Sequence, residues 1–315
     1  MKPKILVITP VRHIVGVADT LESAGDVTYM DGPSSEEVLA CVDGYDALFT
    51  NPNKSNVFIS AALMDAGARL RVICTASTGT NHIDLAHAHE RGLLVLSLTE
   101  EREVIDRISS TAEHAFALMM ACIRNIPAAW DSVKRGEWDY LPFVGRQLSA
   151  LTVGVVGYGR LGRLFAGYCA AFGSRVLVCD PYKQVHDPRL EQVETNALLA
   201  ESDIISLHVH VTPETTRMVN RDWLARAKPD VLLVNTSRGD VCDEDALIDF
   251  LTARPGARYA TDVLANETEA KSESRLLAWA RNSAQVLVTP HIGGMTTEGQ
   301  QIAYNHAASM LKAVL

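Results

Sequence analysis

Long apolar runs are missing from this 315-residue chain: none reaches the eighteen or so uncharged residues that a bilayer-spanning helix needs. No membrane partner is expected. The opening MKPKILVITP starts basic, but its apolar part is only a strand's length and ends in Pro10 rather than a small-residue cleavage site, so no signal peptide is read. Positive charge is in deficit, with 29 Lys and Arg against 38 Asp and Glu and a formal net charge of −9. That balance disfavours attraction to phosphate backbones or anionic lipid, and no nucleic-acid partner is expected. No C-x-x-C occurs among the six cysteines, Cys41, Cys74, Cys122, Cys169, Cys179 and Cys242, which mostly sit in apolar runs such as RVICTA and RVLVCD. They read as reduced core residues of a cytoplasmic protein. Low-complexity tracts and short repeats are absent as well.

What is present is alternation. With 47% apolar and 21% charged residues the chain has the composition of a globular protein with room for two cores. KILVIT, DVTYM, DALFT, RVICTA and LLVLSL read as strands separated by helix-periodic segments, and a second series follows: LTVGVVG, RVLVCD, DIISLHV, VLLVNTS, YATDVL and QVLVTP. Such βαβ series predict an α/β fold of two doubly wound, parallel-sheet (Rossmann-like) domains with a cleft between them. The segment SSTAEHAFALMMACIRN, with Ser110 and Glu113 at capping-box spacing, is expected to be the helix linking them. One last helical stretch after TPHIGG has no strand to follow and is expected to return to the first domain. The expected division is therefore a discontinuous, flavodoxin-like substrate domain, 1–101 plus 292–315, and a nucleotide domain, 102–291.

In the second series, Gly157-x-Gly159-x-x-Gly162 follows a strand and opens a helix. The mechanism of dinucleotide binding asks for that placement: a tight turn at Gly157, close approach of a pyrophosphate at Gly159, close helix packing at Gly162, and free N–H groups at the helix start. The next strand ends at Asp180, eighteen residues beyond Gly162, where a carboxylate accepts from ribose hydroxyls and repels a 2′-phosphate. NAD is the expected cofactor. Three further stretches reach strand ends in the same domain, where open α/β sheets bind ligands. NTSRGD presents Arg238, ATDVLANE presents Asp262 and Glu267, and TPHIGG presents His291.

Nearly the whole chain, from the glycine loop through DPY, LHVHVTPETTRMVN, NTSRGD and the Asp262-to-Glu267 spacing to TPHIGG, resembles the D-isomer-specific 2-hydroxyacid dehydrogenases. The resemblance implies hydride exchange between NAD(H) and a small 2-hydroxy or 2-oxo acid. It implies Arg238 on the substrate's carboxylate and carbonyl oxygen, Glu267 paired with His291, and His291 as acid/base. Asp262 would hold the nicotinamide carboxamide, Val209, Thr236 and Ser237 would line the ring pocket, and Arg160 and Leu161 would face the pyrophosphate, with Gly293 and Gly294 grouped among the cofactor residues. Elementary chemistry asks for the same types: charge develops on the carbonyl oxygen as hydride arrives, so a guanidinium fork and a proton donor are both needed. In the first domain, CTASTGTNHIDLAHAHERGLLV implies that the backbone N–H groups of Ser77, Thr78 and Gly79 bind the carboxylate, although Ser77 stands where a glycine is frequent. The stretch 97–109 lacks the Asn-rich, glycine-containing hinge common in the family. Arg12, His13, Asn51, Asn53 and Lys54 fall at strand ends where a longer polar tail could reach. His208 and His210 share a strand face, but with no third ligand in view no metal is expected. The helix AFALMMACI reads as core or dimer surface, and a homodimer through the nucleotide domain is implied. No appended regulatory domain is expected after the last helix. Two alternatives stand beside the enzyme: an NAD-sensing protein of the corepressor kind, and an oxidase of formate or phosphite, the formate version opposed by Glu267 where a glutamine is expected.

Overall fold

The apolar runs of the first hundred residues form β1 (Lys4–Val7), β2 (Asp26–Tyr29), β3 (Ala47–Thr50), β4 (Val72–Thr75) and β5 (Leu94–Leu96), all parallel, in the order β2-β1-β3-β4-β5. That order is the flavodoxin-like one. The computed structural model describes residues 2–52, 55, 57–265, 267 and 274–315. β3 and β4 are buried along their whole length, which is why they read as continuous apolar runs rather than as alternation. Successive residues still serve opposite faces. Ile5, Val7, Phe49 and Cys74 pack with Tyr304 and Leu311 of the last helix, whereas Leu6, Ile8, Leu48 and Ile73 pack with Leu63 and Met64. The last helix, Thr297–Val314, starts where the Thr296 hydroxyl accepts from the Gly299 N–H.

The second series forms β6 (Thr152–Val156), β7 (Arg175–Cys179), β8 (Leu190–Gln192), β9 (Ile204–Leu207), β10 (Leu232–Asn235), β11 (Arg258–Thr261) and β12 (Val286–Val288). Their order is β12-β11-β10-β9-β6-β7-β8, again all parallel. The strand order reverses at β6, so the ends of β6 and β9 flank the switch point at which such sheets take their ligands. The six strands read from the sequence are all present. β8 is an addition, an edge strand of three residues, two of them exposed, with no apolar run to mark it. Gly154, inside β6, admits Leu198: a Cβ there would lie 2.7 Å from that side chain.

The helix Ser110–Ile123 buries Ala115, Leu118 and Met119 against Val153, Val155, Val234 and Ala260 of this sheet. Its cap differs from expectation. Ser109 is the N-cap, Ser110 is buried as the first helical residue, and Glu113 accepts from the Ser109 hydroxyl. The spacing pointed to Ser110 as the cap; its burial makes it the first helical residue and moves the cap to Ser109. The chain divides into two compact units, residues 1–108 with 294–315 and residues 109–293, so their limits fall at 108/109 and 293/294 rather than at 101/102 and 291/292. The short helix Arg102–Ile105 buries Ile105 with Val7 and Leu98 in the first unit's core. Among the described residues no helix is long and apolar enough to cross a membrane.

Candidate active site

The three glycines after β6 are needed for three different reasons. Gly157 has φ +93, and a Cβ on it would sit 2.6 Å from the His208 carbonyl oxygen. A Cβ on Gly162 would lie 2.0 Å from the Gly157 oxygen, so the helix Arg160–Ala171 rests directly on the turn. Gly159 caps that helix and differs: a Cβ there would meet nothing within 4 Å. The protein itself does not need Gly159 bare, whereas a pyrophosphate approaching the first N–H groups of the helix, Arg160 and Leu161 among them, does. Asp180, just past β7, accepts from Tyr158 N–H at 2.7 Å through Oδ2 and from Tyr182 and Lys183 N–H at 2.8 and 3.0 Å through Oδ1. Of roughly four lone-pair sites on a carboxylate about one remains for a ribose hydroxyl. These residues fit a dinucleotide.

Beyond β9, Val209 is half-buried and packs on the core. His208 is bonded to the Ser206 hydroxyl at 2.9 Å and stacked obliquely on Phe165, and burial pushes its imidazole down to about 3. A neutral, packed histidine accounts for one of the two on that face; His210 is exposed. Among the described residues no group of three or more His, Cys, Asp or Glu is gathered that could hold a metal.

The loop after β10 is organised by Asn235. Its Oδ1 accepts from the Ser237 N–H and hydroxyl at 3.0 and 2.9 Å, and its Nδ2 donates to the Arg238 carbonyl at 2.9 Å. Thr236 is buried between them. Arg238 Nη1 donates to the Ser237 carbonyl at 2.6 Å, which turns the guanidinium back over its own loop. Burial lowers the Arg238 pKa, opposed by the charges of Glu267 and Asp240; a guanidinium stays cationic regardless. Gly239 lets the chain on the way to Glu267 pass, since a Cβ would lie 1.9 Å from the Leu264 carbonyl carbon.

His291 and Glu267 meet at 2.8 Å, Nδ1 to Oε1, with side chains 18% and 19% exposed. The carboxylate only accepts, so Nδ1 carries the proton. His291 has φ 55, a left-handed conformation that costs a non-glycine residue about 1–2 kcal/mol. Its N–H is held by the carbonyls of Asp262 and Thr289 at 2.9 and 3.0 Å. Asp262 is 2% exposed and accepts from Thr289 Oγ1, Ile292 N–H and Gly293 N–H at 2.6, 2.9 and 2.7 Å, with His114 Nε2 3.3 Å away. Burial raises its pKa, but these donors outweigh burial and hold the carboxyl below its ordinary value. Gly293 is bare because a Cβ would crowd Asp262 Oδ2 at 2.9 Å, whereas a Cβ on Gly294 would meet nothing. The sequence reading passed over Asn235, Gly239, His114 and Thr289. Asn235 and Gly239 stand inside NTSRGD, where an Asn two residues before a Ser signals a side-chain turn; His114 is separated from Thr289 by 175 residues and has no local signal.

In the first unit the carbonyls of the 77–79 turn are all engaged: Ser77 by Leu98 N–H at 3.0 Å, Thr78 by the Thr99 hydroxyl at 2.8 Å, Gly79 by the Ser77 hydroxyl at 2.7 Å. Among the described residues nothing accepts from the N–H groups of these three. A turn with its acceptors used and its donors free is a cradle for an anion. The Ser77 hydroxyl, also 2.9 Å from Thr75 Oγ1, is taken up in bracing the turn. Asn51 Nδ2 holds the Ala76 carbonyl, Arg12 lies over the Tyr29 ring, and His13 meets Gln300. Asn53 and Lys54 lie outside the described residues.

The NAD binding domain of the D-isomer specific 2-hydroxyacid dehydrogenases matches residues 116–293. The D-3-phosphoglycerate dehydrogenase of Mycobacterium bovis is 36% identical over 302 residues, 94% of this chain and 54% of that protein. The chain thus spans about half the length of the phosphoglycerate enzymes it matches. The hydroxypyruvate reductase of Thermotoga maritima is 34% identical over 84% of this chain and 83% of its own. Among solved structures, D-lactate dehydrogenase from Aquifex aeolicus, complexed with NAD and lactic acid, superposes with a TM-score of 0.83 at 27% identity, covering 99% of this chain and 95% of that one. The chain belongs to the D-isomer specific 2-hydroxyacid dehydrogenases, and NAD is its cofactor.

Proposed function

We propose that the protein interconverts a small 2-oxo acid and the D-2-hydroxy acid, with His291 as acid/base. The carrying observation is the His291–Glu267 pair at the strand ends of the NAD domain, within electrostatic reach of Arg238. NAD(H), when bound, supplies or takes the hydride. Arg238 presents a cationic fork to the carboxylate and keto oxygen, which draws off the charge that develops there. His291 delivers its Nε2 proton to that oxygen, and the Glu267 carboxylate, by accepting from Nδ1, fixes which ring nitrogen does so. The Ser77–Gly79 turn, with its N–H groups turned to no acceptor among the described residues, suits an anion such as a carboxylate. Asp180 selects NAD over NADP by repelling a 2′-phosphate. The six cysteines, all free, suit a reducing cytoplasm.

The test is oxidation of NADH, and of NADPH, with glyoxylate, hydroxypyruvate, pyruvate and bulkier oxo acids, repeated on His291→Ala. Turnover with NADH that the substitution abolishes supports the enzyme. NADH binding without turnover of any oxo acid supports an NAD-sensing protein instead.

A homodimer through the NAD domain belongs to the same proposal. Ile126, Trp130, Trp138, Tyr140, Leu141 and Val144 are 55–92% exposed within one short stretch of that domain. So much apolar surface in one place asks for a partner, and a second copy is the one the family likeness favours.

A further inference from the structure

Asp262 keeps the backbone around His291 in place only while its own carboxylate cannot turn. Oδ1 takes the Ile292 N–H and Oδ2 the Gly293 N–H, so a rotation of the carboxylate releases both. Those two residues follow directly on His291, whose left-handed φ needs outside support. What fixes the carboxylate is a chain of two side chains from distant segments. Thr289 has a single hydroxyl proton, and at 2.6 Å from Oδ1 that proton goes to the carboxylate. The contact between Thr289 Oγ1 and His114 Nε2, at 2.8 Å, is then attractive only if the ring nitrogen donates. The same N–H lies 3.3 Å from Asp262 Oδ1. His114 stands on the helix Ser110–Ile123, whose buried face is locked into the sheet, so the chain is anchored in the rigid core of the domain.

We propose that His114 and Thr289 are positioning residues for His291: through the Asp262 carboxylate they hold the backbone that presents the imidazole to Glu267. The proposal rests on the acid/base role assigned to His291. Neither residue is assigned contact with substrate or cofactor. Without the donor chain the carboxylate turns, the strained backbone at 291 relaxes, and the ring leaves its partner.

Thr289→Val removes the hydroxyl at nearly constant volume and Thr289→Ser restores it; His114→Leu removes the ring donor and His114→Gln restores an N–H. Each is measured with the best oxo acid of the panel for kcat and KM, for NADH affinity by fluorescence, and for the ring signals of His291 in ¹⁵N-histidine-labelled protein, assigned by their loss in His291→Gln. Thr289→Val and His114→Leu are expected to lower kcat tenfold or more, with KM and NADH affinity within threefold. The downfield Nδ1 proton signal of His291 is expected to be lost, and Ser and Gln to bring back both kcat and signal. An unchanged kcat and His291 signal in Thr289→Val overturns the proposal, as does a loss confined to NADH affinity. If His114→Leu does not fold, the Thr289 pair decides. If the wild-type protein reduces no oxo acid, the proposed function fails, and the His291 signal in the same variants still decides the positioning role.

Discussion

A single residue's worth in this site depends on whether it touches the reaction or the protein. In the proposed reaction His291 is the acid/base and its Nδ1 meets Glu267, so His291→Ala is expected to lower kcat by about 10²–10⁴, the range for a lost general acid. Glu267→Gln keeps a hydrogen-bond acceptor for Nδ1 but exchanges a charge-assisted bond for a neutral one. A smaller loss is expected, about tenfold, read from kcat. The glycines divide the same way. Gly159→Ala introduces a methyl group that meets no protein atom within 4 Å, so thermal stability should hold while NADH affinity drops at least tenfold, measured by titration. Gly162→Ala drives a Cβ into the Gly157 oxygen at 2.0 Å and should destabilise the domain itself, by about 3 kcal/mol or more in urea unfolding. The motif already assigned Gly159 to a pyrophosphate and Gly162 to helix packing; the structure adds what stands opposite each Cα.

Elements are joined at their starting ends by Asp203, just before β9. Its carboxylate accepts from Thr152 N–H and Lys228 at 2.8 and 3.0 Å, with Arg146 3.7 Å away, and its carbonyl receives Leu232 N–H at 3.0 Å. It thereby ties together the starts of β6, β9 and β10. Burial raises its pKa, but the backbone bond from Thr152 and the two cations more than offset burial and hold it below the ordinary aspartate value. A carboxyl lowered on folding contributes stability that is present above its unfolded pKa and is lost as pH falls through the folded one. Asp203→Asn should therefore cost about 1–2 kcal/mol in urea unfolding at pH 7 and almost nothing near pH 2. An equal cost at both values would remove the charge from this account. Element identity was largely legible: all eleven anticipated strands are present, and LLVLSL sufficed for β5 although that strand is only three residues long. The edge strand β8 escaped because a strand paired on one side and open to solvent on the other needs no apolar run.

At the scale of the whole molecule the first question is assembly. Trp138→Glu with Val144→Glu, at positions 92% and 70% exposed, should leave each unit folded and shift the protein from dimer to monomer in sedimentation equilibrium. A wild-type protein that sediments as a monomer would refute that interface. By itself the sequence determined two parallel α/β sheets and the dinucleotide turn, and it placed the candidates Arg238, Glu267 and His291 at or after strand ends, because periodicity, glycine spacing and strand ends are local properties written into consecutive residues. Tertiary structure alone decided which donors occupy Asp262, that Asn235 shapes the loop bearing Arg238, and that the backbone at His291 is left-handed. Those facts depend on side chains brought together from segments as far apart as the helix Ser110–Ile123 and the end of β12, and proximity across such distances is set by packing, which no local pattern encodes.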